Sequence, residues 1–359
     1  METKASGKTF SWFYEDGPEN DVIISTRARI VRNLADFKFP SKMSEDDVRR
    51  VVSLAEDAFN YDENFQFVRA SELSKTGLQV LRDNTMIGNN NFQAFAMNNK
   101  EAVICLVNEL NHLKIINFDC GFDPEKVMKN VYKVDENLQK KLQFAASYEF
   151  GYLTSQIKDC GTGLRISIRI FIPSIVLSGR FPEFSKKLAE QKFCLRPIVK
   201  PGNNTDFSNF FFDVYYGDCQ EGTELDQLAQ IQSLGTYIFK TERKIRREFA
   251  DNNPTVVLNF VKSNFAKAVN SLLINYEEAL NYIGVIKWGL QTGVLTGVSE
   301  SDVNGLMYTT KYIHLQIVND NYPFTFEDDI KGSQELVIQR LRATVIQQTL
   351  ENARLQYSR

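Results

Sequence analysis

The sequence predicts an α+β fold, in which a mixed region of strands and helices is followed by a helical C-terminal region. Three observations predict it. In "GLRISIRIFI", Leu164, Ile166, Ile168, Ile170 and Ile172 alternate with Arg165, Ser167, Arg169 and Phe171. This period-two pattern marks a strand with one apolar face. "EDDVRRVVSLAEDAF" sets Val48, Val52 and Ala55 at helical spacing. Beyond about Gly222 the chain reads mostly as helix, and its last stretch places Val337, Leu341 and Val345 at i, i+4 spacing.

The remaining elements follow in order. "DVIISTRARI" opens with β-branched residues and reads as a strand running into a basic segment. "EAVICLVNEL" is a further strand, and the aromatic-rich "SNFFFDVYYG" another. Pro254, after "ADNN", marks a boundary, so two domains are expected, 1–250 and 251–359. A chain of 359 residues is long enough for about two.

Composition narrows the function classes. The hydrophobic share of 43% suffices for a sizeable core. A net charge of -3 shows no overall affinity for polyanions, so no nucleic-acid partner is expected. No apolar run approaches the ~18 residues of a membrane span, and the N-terminus lacks the basic-then-apolar pattern of a signal peptide. No membrane association is therefore expected. The five cysteines are scattered without a CxxC pair, which points to reduced thiols and a cytoplasmic location. With only His112 and His314, a zinc site would have to be assembled from distant residues, and none is expected.

The chemistry sits in three segments. In "STRARIVRN", residues 25–33, Arg27 and Arg29 share a face if the backbone is extended, and Arg32 follows. Guanidinium groups suit phosphate because they stay charged and present a planar fork of donors. In "GTGLRISIR", residues 161–169, the glycines allow close backbone approach, and Arg165 and Arg169 lie together on the polar face of the strand. Alone, each segment also reads as a solvated polar edge. The third segment is "VNELNHLKI", residues 107–115.

Together these segments resemble the ATP:guanidino phosphotransferase family, which includes the phosphagen kinases and the bacterial protein arginine kinases. The family pattern S-S-R-I-R-x-x-R-N is met by Ser25, Thr26, Arg27, Ala28, Arg29, Arg32 and Asn33. N-E-E-D-H-x-R-I is met by Asn108, Glu109, Leu110, Asn111, His112, Leu113, Lys114 and Ile115. G-Y-L-T-S-C-P-T-N-x-G-T-G-L-R is met without a gap by "GYLTSQIKDCGTGLR", residues 151–165. The likeness covers roughly residues 12–250 well and the C-terminal helices more loosely. The first arginine motif lies near the N-terminus, which is similar to the protein-arginine-kinase branch.

The resemblance implies a largely antiparallel sheet flanked by helices, a C-terminal helical domain that pairs two subunits, and transfer of the γ-phosphoryl group of ATP, with magnesium, to a guanidinium nitrogen. It implies nucleotide contacts from Ser25, Arg27, Arg29, Lys114, Arg165, Arg169 and Arg196. Lys114 stands where the family has arginine, keeping charge without the fork. The carboxylates are missing. The family's principal catalytic glutamate falls at Leu110, and its reactive cysteine at Gln156. No glutamate lies between Arg196 and Asn209, where the second catalytic one belongs. Glu109 and Asp206 are the candidates for a displaced base, although Glu109, one place along a strand, is expected to face the other way.

Three functions are weighed: a nucleotide-binding pseudokinase that regulates an active arginine kinase or its substrate proteins; an active arginine phosphotransferase; and an interaction protein that binds no nucleotide. The basic run "KTERKIRREF", residues 240–249, reads as a solvated helix face or an acidic-partner contact. The phosphoarginine-binding motif of the protein arginine kinases has no arginines left in "EDDIKGSQ", residues 327–334.

Overall fold

The computed structural model describes residues 13, 15–83, 87, 90–199, 209–217 and 222–356. Among them, eight strands form one sheet in the order β2-β3-β4-β5-β1-β8-β10-β9, with every pairing antiparallel. The strands are β1 (Ile23–Arg32), β2 (Gln66–Arg69), β3 (Ala94–Asn98), β4 (Val103–Val107), β5 (Leu113–Cys120), β8 (Leu164–Phe171), β9 (Phe193–Pro197) and β10 (Phe211–Tyr216). Two short two-stranded ladders stand apart: β6 (Ala146–Ser147) with β7 (Gly151–Tyr152), and β11 (Leu295–Thr296) with β12 (Arg354–Leu355).

The helices expected from the sequence are present. The first, α1 (Glu45–Phe59), is capped by Ser44, whose hydroxyl accepts from the Asp47 amide, and it buries Val51, Val52 and Ala55. It is followed by α2 (Lys75–Asp83), α3 (Pro124–Gln139), α4 (Pro173–Leu177) and α5 (Phe181–Glu190). The long α6 (Glu224–Asn252) ends just before Pro254, which opens α7 (Pro254–Asn270). Then come α8 (Tyr276–Gln291), α9 (Glu300–Thr309), α10 (Tyr312–Asn321) and α11 (Gln334–Thr349). None of the described helices is long and apolar enough to cross a membrane.

The two faces of the sheet are packed differently. On one, Ala28, Ile30, Ile115, Ile166 and Ile168 join an apolar cluster with α1, α3 and α6. On the other, Phe171, Phe210 and Phe211 pack beneath α8, whose Gly284 lies so close that an added Cβ would sit 2.8 Å from Phe210. That second cluster takes side chains from both sides of residue 250. The same face also carries Arg27, Arg29, Lys114, Arg165 and Arg169 from β1, β5 and β8.

The basic run of α6 is divided, with Lys244 and Arg247 exposed to solvent and two arginines engaged inside the molecule. Arg243 and Arg246 both bind Asp21, Arg243 also binds Glu19, and Glu242 is buried, accepting from the Ser174 and Ile175 amides at the start of α4. Near the C-terminus, Glu327 pairs with Arg340.

Candidate functional site

The pleat brings the predicted cations together. Ser25, Arg27 and Arg29 alternate along β1 and share one face; in the ladder with β8, Ser25 stands opposite Arg169 and Arg29 opposite Arg165. Lys114 on β5 lies opposite Val31, two residues further along that face. On the other side of β8, Arg169 faces Asp213 of β10, which in turn faces Arg196 of β9. Six cations from four strands therefore line one patch. Arg32, one residue out of phase, points through the sheet. It is buried against Asp135 at 2.8 Å and lies 3.6 Å over the Tyr152 ring.

Most of these cations already hold a carboxylate. Asp159 accepts from Arg29 and Arg165, both at 2.8 Å, through the same oxygen. Asp213 takes a two-pronged contact from Arg169, at 2.8 Å to Nε and 3.1 Å to Nη2. Burial acts to raise the Asp213 carboxyl, but Arg169, Arg27 and Arg196 outweigh it and hold it below the ordinary carboxylate range. Burial alone would lower Arg169, yet Asp213 raises it above its ordinary value. Lys114 donates to both oxygens of Glu109, at 3.1 and 3.0 Å. Burial brings the Lys114 ammonium below its usual value, with Glu109 opposing that shift.

Arg27 differs. Among the described residues it has no carboxylate partner, and its guanidinium lies 5.4 Å over the Phe118 ring. Burial, reinforced by Arg29 and Arg169, brings it down to about 10. It stays cationic at neutral pH, in surroundings that favour an added anion. Arg196 is exposed at the rim.

The backbone explains two of the motifs. Glu109 does not sit on a strand. Asn108 adopts a left-handed φ of 53°, the Asn108 amide donates to His112, and the Glu109 amide donates to Asn111, so the chain turns between β4 and β5. The expectation that Glu109 faces away is therefore corrected: the turn folds its side chain back onto Lys114, where it is 2% exposed. Leu110 projects outward instead, 39% exposed. His112 secures the turn, its Nδ1 accepting from the Leu34 amide at 2.9 Å, with Nε2 facing the Lys38 carbonyl at 3.0 Å.

The "GTG" of the third motif is sterically required. Gly163 has φ +67°, and a Cβ there would lie 2.6 Å from Arg32 Nη1 and 2.7 Å from the Val31 carbonyl. Just before it, a 3₁₀ turn at Ile157–Asp159 delivers Asp159 to the patch.

Sequence reasoning therefore found the cations and missed two of their carboxylates. Asp159 lay inside a motif already singled out. Asp213 carried only a positional signal, as the polar residue between Phe212 and Val214 on a strand paired with β8. Asp206 lies outside the described residues.

The donor set suits a polyanion: guanidinium groups clustered on one sheet face, with Arg27 lacking a carboxylate partner among the described residues. Among the described residues no trio of carboxylate, histidine or cysteine side chains forms a metal cage.

The chain is similar to several protein-arginine kinases. Over 334 residues the chain is 24% identical to the protein-arginine kinase of Clostridium acetobutylicum, covering 89% of this chain and 96% of that protein. It is 25% identical over 337 residues to the protein-arginine kinase of Halothermothrix orenii, with 92% and 96% covered. With that of Bacillus subtilis it shares 24% over 315 residues, with 85% and 86% covered. Among solved structures, lombricine kinase superposes with a TM-score of 0.56 at 15% identity, covering 67% of this chain and 70% of that one. The substrate-free duplicated taurocyamine kinase of Schistosoma mansoni gives 0.58 at 16%, covering 77% of this chain and 48% of that one, and its complex with transition-state analogue components gives 0.53 at 19%, covering 62% and 32%. The chain thus spans about a third to a half of the taurocyamine kinase, and these three likenesses speak for the fold. Residues 46–245, more than half of the chain, match the family described as ATP:guanido phosphotransferase, C-terminal catalytic domain. With that match over more than half of the chain, the strands β5, β8 and β9 of the patch included, the chain belongs to the ATP:guanido phosphotransferase family.

Proposed function

We propose that this chain is a protein-arginine-kinase-like protein that binds nucleotide on its arginine-lined sheet face and has impaired or lost phosphotransfer, acting as a regulatory pseudokinase. One observation carries the reading: where the family has its proton-accepting glutamate, Leu110 projects from the β4–β5 turn, while the neighbouring Glu109 is held by Lys114. A guanidinium with a pKa above ~12 is a poor nucleophile unless a carboxylate orients it and takes its proton. A leucine does neither.

Phosphate contacts would come from Arg27 and Arg196, with Arg29, Arg165, Arg169, Lys114 and Ser25 around them. Magnesium neutralises charge on transferring phosphates and would arrive on the nucleotide's own oxygens, since the carboxylates nearby are engaged by cations. Function would lie in holding a protein partner, either an active arginine kinase or its substrate. We place the chain in the cytoplasm as a homodimer, with 1–250 as the phosphotransferase-type part and 251–359 as the pairing part.

The test has two arms. Purified chain is incubated with Mg-ATP and an arginine-rich protein, and phosphoarginine is sought by mass spectrometry; phosphoarginine that disappears in Arg165→Ala defeats the pseudokinase reading. Calorimetry with Mg-ATP and Mg-ADP then asks about binding. Lack of heat at sub-millimolar concentrations would point to an interaction protein that binds no nucleotide. The orientation of Glu109 toward the cations favours one rival, an active enzyme using Glu109 as a displaced base. In that case, activity would fall in Glu109→Gln.

A further inference from the structure

We infer that Asp159 is a built-in counter-anion that occupies the notch between Arg29 and Arg165, so that a phosphate-bearing ligand must displace it to bind. This rests on the nucleotide-binding reading and adds a regulatory element to the same face.

Arg29 and Arg165 stand directly opposite each other on β1 and β8. Like charges in that relation repel. The fold keeps them together because one Asp159 oxygen accepts from an Nη2 of each, at 2.8 Å in both cases. A single oxygen shared by two guanidinium groups is the contact that a phosphoryl oxygen makes in an arginine clamp. Asp159 therefore stands in for the ligand.

The carboxylate is well shielded. Its side chain is 4% exposed, against 19% and 12% for the two arginines. The segment that delivers it is short and surface-borne. It is one 3₁₀ turn, Ile157–Asp159, closed by the Asp159 amide donating to the Gln156 carbonyl and the Cys160 amide donating to the Ile157 carbonyl. Ile157, on its outer side, is 80% exposed, and Gly161 follows with φ +96°. Asp213 and Glu109 differ in kind: each is bonded to one cation of the patch, whereas Asp159 is bonded to two. In the family motif that the segment matches, this position is asparagine, which has the same shape without the charge. Release of the carboxylate would expose two facing arginines at once, making polyphosphate binding a switch between an internal and an external anion.

The experiment titrates inorganic pyrophosphate and ADP into the full chain and into Asp159→Asn by calorimetry, over a range of salt concentrations. The variant is expected to bind both about tenfold more tightly or better, with a steeper loss of affinity as salt rises, because the competing charge is gone. Binding by the wild type with equal or weaker binding by a folded Asp159→Asn would assign Asp159 a bracing role and overturn the switch. Absence of binding by either chain overturns the nucleotide-binding reading, and the switch with it. A second measurement, on the wild type, guards against a variant that fails to fold. Hydrogen exchange at amides 157–161 is expected to speed up when pyrophosphate is bound; unchanged or slower exchange overturns the proposal.

Discussion

Replacing Asp135 with asparagine tests whether the arginine on the hidden side of β1 anchors the loop that feeds the cation patch. Arg32 and Asp135 are each 1% exposed and 2.8 Å apart. Arg32 also donates to the Val31 carbonyl at 3.0 Å and to the Thr162 carbonyl at 2.9 Å, tying the "GTG" loop to the strand. Burial pushes the Asp135 carboxyl up, while Arg32 and Gln139 pull it back; the outcome lies above the ordinary value, so desolvation takes much of the pair's attraction. Asparagine keeps the shape and removes the charge, leaving a guanidinium in the interior without its counter-ion. Breaking one side of a buried pair costs ~3–5 kcal/mol. That is a large share of a typical folding free energy of about 5–15 kcal/mol. At roughly 2–4 °C per kcal/mol for a larger domain, the Tm should fall by about 6–20 °C. Circular dichroism melts of both chains make the measurement. A variant melting within about 2 °C of the wild type would refute the reasoning. A double replacement, Arg32→Met with Asp135→Leu, is expected to regain most of the loss, because apolar groups of similar volume often substitute for a buried pair without penalty.

Four further outcomes are expected. Arg27→Gln should weaken ADP binding ~10–100-fold, the worth of a charged hydrogen bond of ~1.5–3 kcal/mol, with little change in melting; undiminished affinity by calorimetry removes Arg27 from the site. Glu109→Gln should leave phosphotransfer to protein arginine at background, as in the wild type; a wild-type activity that drops ~10²–10⁴-fold on substitution would establish Glu109 as the base. His112 is held neutral, brought by burial down to about 4 although the Lys38 carbonyl acts to raise it. The unfolded chain takes up that proton at about 6.5, so His112 makes stability fall as pH drops through this window, by at most ~1.4 kcal/mol per pH unit. His112→Gln should flatten the slope seen in urea unfolding between those pH values, and identical slopes would contradict the assignment. Gly163→Ala should cost ~1–3 kcal/mol through its left-handed backbone and the Arg32 contact; a melting curve matching the wild type would mean that the turn relaxes.

Much of the fold was legible in the sequence because period-two and helical spacing are local. Alternation in "GLRISIRIFI" set Arg165 and Arg169 on one face of β8, and the same parity in "STRARI" placed Arg27 and Arg29 together on β1. The capped helix α1 spans the residues that its apolar spacing outlined. The family followed from three gapless or near-gapless motifs, and with it the antiparallel sheet. Where strand parity was extended past the end of β4, at Glu109, it failed, because a left-handed Asn108 ended the strand and parity has no meaning in a turn.

From the sequence alone came the identity of the charged groups, the strand faces they occupy and the expectation that Leu110 stands where the family motif has glutamate. Only the tertiary structure decided which charges neutralise which. Asp159 reaches Arg29 from 130 residues away, and Asp213 reaches Arg169 from 44. Coulomb energy depends on distance in space, so a counter-ion that a ladder or a loop brings within 3 Å is invisible to any reading of spacing along the chain.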